Sequence, residues 1–154
     1  MKRLVRESLN KLHSFERKKD PISSLHIGKR KLIEDWLDEM KITNCNINND
    51  LTININTSID LEGKHIHEFP DYIQFNKILG YFDCNCVGLI NLRGCPFYVE
   101  GFFSCANNYL ETLEHCPIKV TGDFDCQNNK VLFNEKYVLS LCDCTNLNVY
   151  KIIC

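Results

Sequence analysis

Cysteine and histidine offer the most chemistry in this 154-residue chain, and ten of its residues are cysteine. Three short patterns would place two metal ligands on one face of a strand: Cys84-Asn-Cys86, Cys142-Asp-Cys144 and His65-Ile-His67. Structural zinc usually takes two knuckles of cysteines roughly two to four residues apart, and the sequence has no two such knuckles. We therefore predict no metal and no cofactor. A metal or thiol cluster of Cys142, Cys144 and Cys154 stays open as the alternative to a cysteine-rich cap.

A catalytic cysteine would need a histidine base in an electropositive, partly open setting. His115 and Cys116 are sequence neighbours, but neighbouring side chains on an extended chain point apart. The chain has no Gly-x-Ser-x-Gly, phosphate-binding glycine loop or His-Glu-x-x-His motif. The acid pairs Glu34-Asp35 and Asp38-Glu39 fit the polar face of a helix. These observations predict a protein that is not an enzyme.

A 21-residue repeat accounts for five of the ten cysteines. The residues that recur at this spacing are Gly80/Gly101/Gly122, Phe82/Phe103/Phe124, Cys84/Cys105/Cys126, Leu89/Leu110/Val131, Leu92/Leu113, Cys95/Cys116, Pro96/Pro117 and Val99/Val120. A period of about twenty residues predicts stacked units, because one unit cannot bury its apolar side alone. Stacking in register points equivalent cysteines the same way, so we expect small buried thiols rather than disulfides.

One unit reads Phe103-x-Cys105-x-x-Asn108-x-Leu110-x-x-Leu113. It resembles the leucine-rich repeat and, more closely, the Gly-x-Phe-x-Cys-x-x-Asn-x-Leu-x-x-Leu-x-x-Cys-Pro repeats of small bacteriophage and bacterial proteins. The resemblance covers residues 80–131, with a degenerate extension back towards 59. It implies a parallel β-solenoid that recognises another molecule, most simply a protein, without catalytic residues. Val87 replaces the expected asparagine, so a buried ladder would contain only Asn108 and Asn129.

The flanking segments should close the two ends of the solenoid. Apolar spacing predicts an amphipathic helix over 1–17, a turn at 18–24 and a second helix from Gly28 to about residues 42–44. Alternation over 45–61 predicts strands with a turn at 48–50. A short helix is predicted over 134–141 and a last strand over 148–154.

The predicted fold is therefore α+β: a short leucine-rich-repeat-like parallel β-solenoid with two N-terminal amphipathic helices and an irregular C-terminal cap. We expect one compact domain with four parts, namely a helical segment (1–44), a strand-rich degenerate first repeat (45–79), regular repeats (80–131) and the cap (132–154).

Charge is unevenly distributed, although the net charge is only −2. Residues 1–31 carry ten Lys and Arg against three acids, including the clusters 17–19 and 29–31. These clusters leave nucleic-acid binding as an alternative, against which the acidic repeats argue. The sequence has no apolar run of about 20 residues, so we expect no membrane span. It also lacks a secretory signal pattern, so we expect a cytoplasmic location, which would be the host cytoplasm if a phage encodes the chain.

If the repeated Phe and Cys side chains point inward, the residues between them point outward. Six outward residues form the predicted partner-binding site: Tyr81, Asp83, Phe102, Ser104, Asp123 and Asp125. Exposed aromatic residues anchor protein interfaces, and acids select basic partners. We expect a recognition protein that binds another protein here, for example a phage inhibitor of a host defence factor. The alternatives are a structural or virion-associated protein, and cover of this face by the N-terminal helices.

Overall fold

A computed structural model of the chain describes residues 21–148. In chain order the elements are α1 (Pro21–Met40), β1 (Cys45–Ile47), β2 (Ile53–Ile55), β3 (Ile59–Asp60), β4 (Phe75–Ile78), β5 (Phe82–Asp83), β6 (Tyr98–Val99), β7 (Phe103–Ser104), β8 (Lys119–Asp125), α2 (Glu135–Leu141) and β9 (Asp143–Asn148). The predicted helix over 1–17 and most of the predicted last strand lie outside the described residues.

The strands wind into a parallel β-solenoid of about four turns, which confirms the predicted architecture at this level. One row contains β2, β4, β6 and β8, and a second row contains β3, β5, β7 and β8. β8 belongs to both rows because it runs through the corner between them. Phe82 pairs with Phe103 and Phe103 with Phe124, so the 21-residue period is the strand register. The first turn is longer: Ile59 pairs with Phe82.

Glycine is required at the corner because successive turns meet there through their backbones. The Gly101 N–H donates to the Gly80 carbonyl at 2.9 Å, and the Gly122 N–H donates to the Gly101 carbonyl at 3.0 Å. A Cβ atom on Gly101 would lie 2.9 Å from the carbonyl carbon and oxygen of Gly80. Real Cβ atoms do not approach backbone so closely, and the repeated glycine follows from this contact.

The solenoid interior contains the repeated apolar residues. Phe82, Phe103 and Phe124 are fully buried, and the ring centroids of neighbouring turns lie 5.9 and 5.1 Å apart, the first pair stacked and the second tilted by 46°. The two repeated cysteine columns and the leucine columns lie beside them. Val131, which the repeat aligns with Leu110, is instead 40% exposed. The chain leaves the repeat there, and the buried Phe133 and Val138 of the C-terminal segment join the core instead.

Asparagine ladders satisfy the backbone where each strand ends. Asn108 and Asn129 are buried, and each amide bonds main-chain groups of its own turn and the turn before. Val87 stands at the equivalent position of the preceding turn, where the Ile66 N–H donates to the Val87 main-chain carbonyl at 2.9 Å. That N–H group therefore has an acceptor without an asparagine side chain.

Helix α1 closes the N-terminal end of the core. Its Ile33, Trp36 and Leu37 are buried, and the Trp36 ring lies 6.0 Å from that of Phe69. The helix begins at Pro21, so the predicted turn at 18–24 and the start at Gly28 are wrong from residue 21 onwards. Proline suits this position because the first N–H groups of a helix have no intrahelical partner.

The remaining predicted elements are found. β1 and β2 form an antiparallel hairpin around residues 48–52, as the alternation predicted. α2 begins after Asn134, whose Oδ1 accepts the Tyr137 N–H at 2.9 Å. The described chain thus has two helices, but they lie at opposite ends of the solenoid and are not both N-terminal. Neither of these two helices is long and apolar enough to cross a membrane.

Candidate recognition groove on the strand face

Strand alternation sets the outward face of β5, β7 and the end of β8. Because Phe82, Phe103 and Phe124 point into the core, the residues beside them point away from it. The register aligns Asp83, Ser104 and Asp125 in one row across the three strands. Neighbouring parallel strands lie about 4.8 Å apart, so Asp83 and Asp125 are separated by roughly two such steps.

Five of the six predicted residues line one groove with a volume of about 310 Å³: Asp83, Phe102, Ser104, Asp123 and Asp125. Tyr81 does not line the groove but lies directly beside it, stacked on Phe102. Their ring centroids are 4.6 Å apart and their planes differ by only 5°. Phe102 is 38% exposed, so one face of a two-ring stack borders the acidic groove.

The groove acids are held in place by local hydrogen bonds. Asp83 Oδ1 accepts the Asn85 N–H at 2.9 Å, and Asp125 Oδ1 accepts the Gln127 N–H at 3.1 Å. Asp123 Oδ1 accepts the Asn146 side-chain amide at 2.7 Å. These bonds fix where the carboxylates lie, and they supply no positive charge.

None of the five ion pairs within residues 21–148 includes a groove acid. Partial burial raises the pKa of the Asp83 carboxyl, and the nearby charge of Asp60 raises it further. Partial burial likewise raises the pKa of Asp125, with smaller contributions from Asp83 and Asp123. The groove is therefore an acidic, partly desolvated surface without an internal cation.

Ser104 forms the middle of the acidic row. Its side chain points outward as expected, yet the residue is only 7% exposed because longer side chains flank it. Its main-chain carbonyl accepts hydrogen bonds from the N–H and the thiol of Cys84. Ser104 is therefore part of the groove floor rather than its rim.

The sequence reasoning missed the amide-rich end of the groove, which is lined by Asn85, Ala106, Asn107, Gln127 and Asn148. Asn107 donates from Nδ2 to Asn85 Oδ1 at 2.8 Å. A signal was present: Cys86, Asn107 and Asn128 are spaced by 21 residues, and all three have φ between 54° and 56°. Asparagine tolerates this left-handed conformation, so it marks the bend where the groove ends.

The described helix α1 does not cover this face, since its buried side chains pack against the end of the core.

The second sheet row presents another outward surface, with Phe97 37%, Tyr98 44% and Ile118 54% exposed. Its charges are compensated, because Lys77 pairs with Glu100 at 2.6 Å. The uncompensated acids are therefore a property of the groove and not of both faces.

The cysteines are free thiols throughout the described residues. Burial raises the pKa of Cys105 well above its ordinary value and that of Cys116 to about 12. Cys116 is buried while its neighbour His115 is exposed, so this pair is not arranged as nucleophile and base. Within residues 21–148 no three His, Cys, Asp or Glu side chains are placed to hold a metal ion, and Cys154 lies outside that range.

The fold and the site together define the chain as a parallel β-solenoid with asparagine ladders and an acidic groove on one strand face. Comparison with protein-family models, curated proteins and solved structures gives no match.

Proposed function

We propose that this chain is a non-enzymatic recognition protein that binds another protein through the strand face of its solenoid. The observation that supports the proposal most is the Tyr81–Phe102 stack, with Phe102 exposed, beside acids that form no ion pair within residues 21–148. Aromatic side chains at interfaces contribute a large area of contact at little conformational cost. The resemblance of the repeat to short-repeat bacteriophage proteins extends the proposal to a phage protein that inhibits a host factor.

The electrostatics favour a basic partner. Carboxylates that repel one another are stabilised when a cation enters between them, and complementary charge also speeds diffusional encounter. Preorganisation would help, because the local bonds to Asn85 and Gln127 already hold two of the carboxylates. A rigid surface loses little conformational entropy on binding.

A structural role in an assembly is the second candidate. Its support is the outward surface of the other sheet row, where Phe97, Tyr98 and Ile118 are exposed near Leu79, itself 44% exposed. Nucleic-acid binding has less support. On α1, Arg30 and Lys31 form ion pairs with Glu34 and Asp35, which reduces the charge available for phosphate.

The test is partner capture with variants of the two faces. Bait protein carrying Tyr81→Ala and Phe102→Ala should lose a partner that the wild-type bait retains from an extract of its native cells. The matched control carries Phe97→Ala and Ile118→Ala on the other sheet row. Loss with the control pair alone would support the assembly role, and a partner retained by both variants would refute recognition through either surface.

A further inference from the structure

The Ser104 hydroxyl is an unused polar group in the floor of the groove. Ser104 is more than nine-tenths buried, and no group within residues 21–148 hydrogen-bonds its Oγ. The residue lines the groove, so the hydroxyl can be reached from there. Every fully buried side-chain N or O atom among the described residues has a hydrogen-bond partner, so the unpartnered Ser104 Oγ is open to the groove. A hydroxyl that is open to the groove and bonded to no described protein group can bond a polar ligand group there.

Of the two neighbouring acids, Asp125 already accepts a hydrogen bond from Gln127 at each carboxylate oxygen, while Asp83 has one oxygen left over. Asp83 uses Oδ1 for the Asn85 N–H, whereas its Oδ2 has no partner in the described part of the chain. The register places Asp83 and Asp125 on either side of Ser104. A ligand that filled this row would need several hydrogen-bond donors and a positive charge.

Geometry distinguishes between the cations that could satisfy these groups. No three ligating side chains within residues 21–148 are placed for a metal ion, which favours an organic cation. Lysine carries a compact ammonium group, while arginine carries a planar fork of five N–H donors that also stacks on aromatic rings. Phe102 offers such a ring at the wall of the same groove, with Tyr81 fixing its plane.

We propose that the groove binds an arginine side chain of the protein partner. Its guanidinium would stack on the face of Phe102 that Tyr81 leaves free and donate to Ser104 and Asp125, while Asp83 adds negative charge from the other side of the row. This inference rests on the proposed function, since it names the chemical group by which the partner is recognised. No covalent step is involved.

The test reads the groove directly, without the partner. The ¹⁵N-labelled protein is titrated with N-acetyl-arginine methylamide, and backbone amide shifts are followed by NMR. The lysine analogue keeps the positive charge but lacks the planar guanidinium group. The citrulline analogue keeps the planar shape of the side chain but lacks the positive charge. We expect the arginine probe to shift the amide signals of Phe102, Ser104 and Gln127, with both other probes weaker by at least about tenfold.

Variants assign the shifts to the groove. Asp83→Asn combined with Asp125→Asn should weaken the arginine probe by at least about tenfold. These changes keep the Oδ1 acceptors that fix the local turns, and thermal unfolding verifies that the variant is folded. Asp143→Asn, which removes an acid paired with Lys119 on the other sheet row, is the matched control and should change nothing.

The absence of groove shifts up to the solubility of the arginine probe would overturn the proposal. Equal binding of citrulline would refute the role of charge, and equal binding of lysine would refute recognition of the guanidinium plane. The partner-capture assay distinguishes failure of the arginine assignment from failure of the proposed recognition through the strand face. If Phe102→Ala loses the partner and the double asparagine variant retains it, recognition by this face stands and the arginine assignment fails.

Discussion

Replacing Asn108 with alanine should reduce the free energy of unfolding more than any other single asparagine substitution in the ladders. The residue is 5% exposed, so the groups that its amide bonds lie away from water. Its Oδ1 accepts the Gly88 N–H at 2.9 Å and the Leu89 N–H at 3.0 Å. In the described structure these two N–H groups have no other hydrogen-bond acceptor.

The magnitude follows from the groups left without a partner. A buried donor that loses its acceptor costs about 1–3 kcal/mol, so the two N–H groups together cost about 2–6 kcal/mol. A domain of this size is usually stable by only about 5–15 kcal/mol. Asn129 accepts a single N–H, that of Leu110 at 3.1 Å, so Asn129→Ala should cost about 1–3 kcal/mol.

Equilibrium unfolding in urea, followed by circular dichroism under reducing conditions, measures these differences. Asn146→Ala is the control, because Asn146 is exposed and its side chain bonds only the side chain of Asp123 in the described structure. Its cost should be at most about 1 kcal/mol. If Asn108→Ala costs no more than this control at an unchanged urea dependence, the ladder does not satisfy the backbone as described.

Three further predictions concern the corner, the groove and the thiols. Gly101→Ala should lower the free energy of unfolding by at least about 1–3 kcal/mol, because its methyl group would meet backbone of the preceding turn. Gly28→Ala, on an open helix surface, should raise the free energy of unfolding by about 0.5–1 kcal/mol in the same urea assay. Asp125→Asn should stabilise the folded chain at neutral pH by about 0.5 kcal/mol or less after allowance for solvent screening. The folded state raises the pKa of this carboxyl above its ordinary value of 3.8, so the gain should be absent below that pH, grow as pH rises and be complete above the raised pKa. The exposed Cys86 should react with a thiol reagent in the native protein, and the buried Cys105 only after unfolding, as read by peptide mass spectrometry.

Each of these has a clear contrary result. Equal effects of alanine at the two glycines would show that the corner tolerates a Cβ atom. A stabilisation by Asp125→Asn that is as large at pH 3 as at pH 7 would show that ionisation of the carboxyl is not its cause. Labelling of Cys105 at the rate of Cys86 would mean that the core opens on the timescale of the reaction.

Much of the fold could be predicted because the repeat is read directly from spacing. Identical side chains placed 21 residues apart pack best on one another, which requires parallel strands in register, as Phe82 and Phe103 show. The start of α1 could not be predicted from local pattern, because Pro21 and the two serines after it are equally compatible with a turn. Burial of Trp36 against Phe69 and Phe75 helps to fix where this helix lies.

The six outward residues of the candidate site were identified by alternation, but their individual environments were not. Alternation states only on which side of a strand a side chain lies. It cannot show that Ser104 is buried between longer neighbours, or that Tyr81 stacks on Phe102 rather than lining the groove. Those facts depend on the side chains of adjacent turns.

The solenoid, its period, the inward columns and the asparagines of the buried ladder can all be predicted from the sequence, because each of these depends on residues that recur at one spacing. Which acids within residues 21–148 have no cation beside them depends on the folded chain. Lys77 and Glu100 meet only because the strand register brings two turns together, and no corresponding lysine faces Asp83 or Asp125 within residues 21–148. Charge compensation is a matter of distance between turns, and that distance is set by the fold.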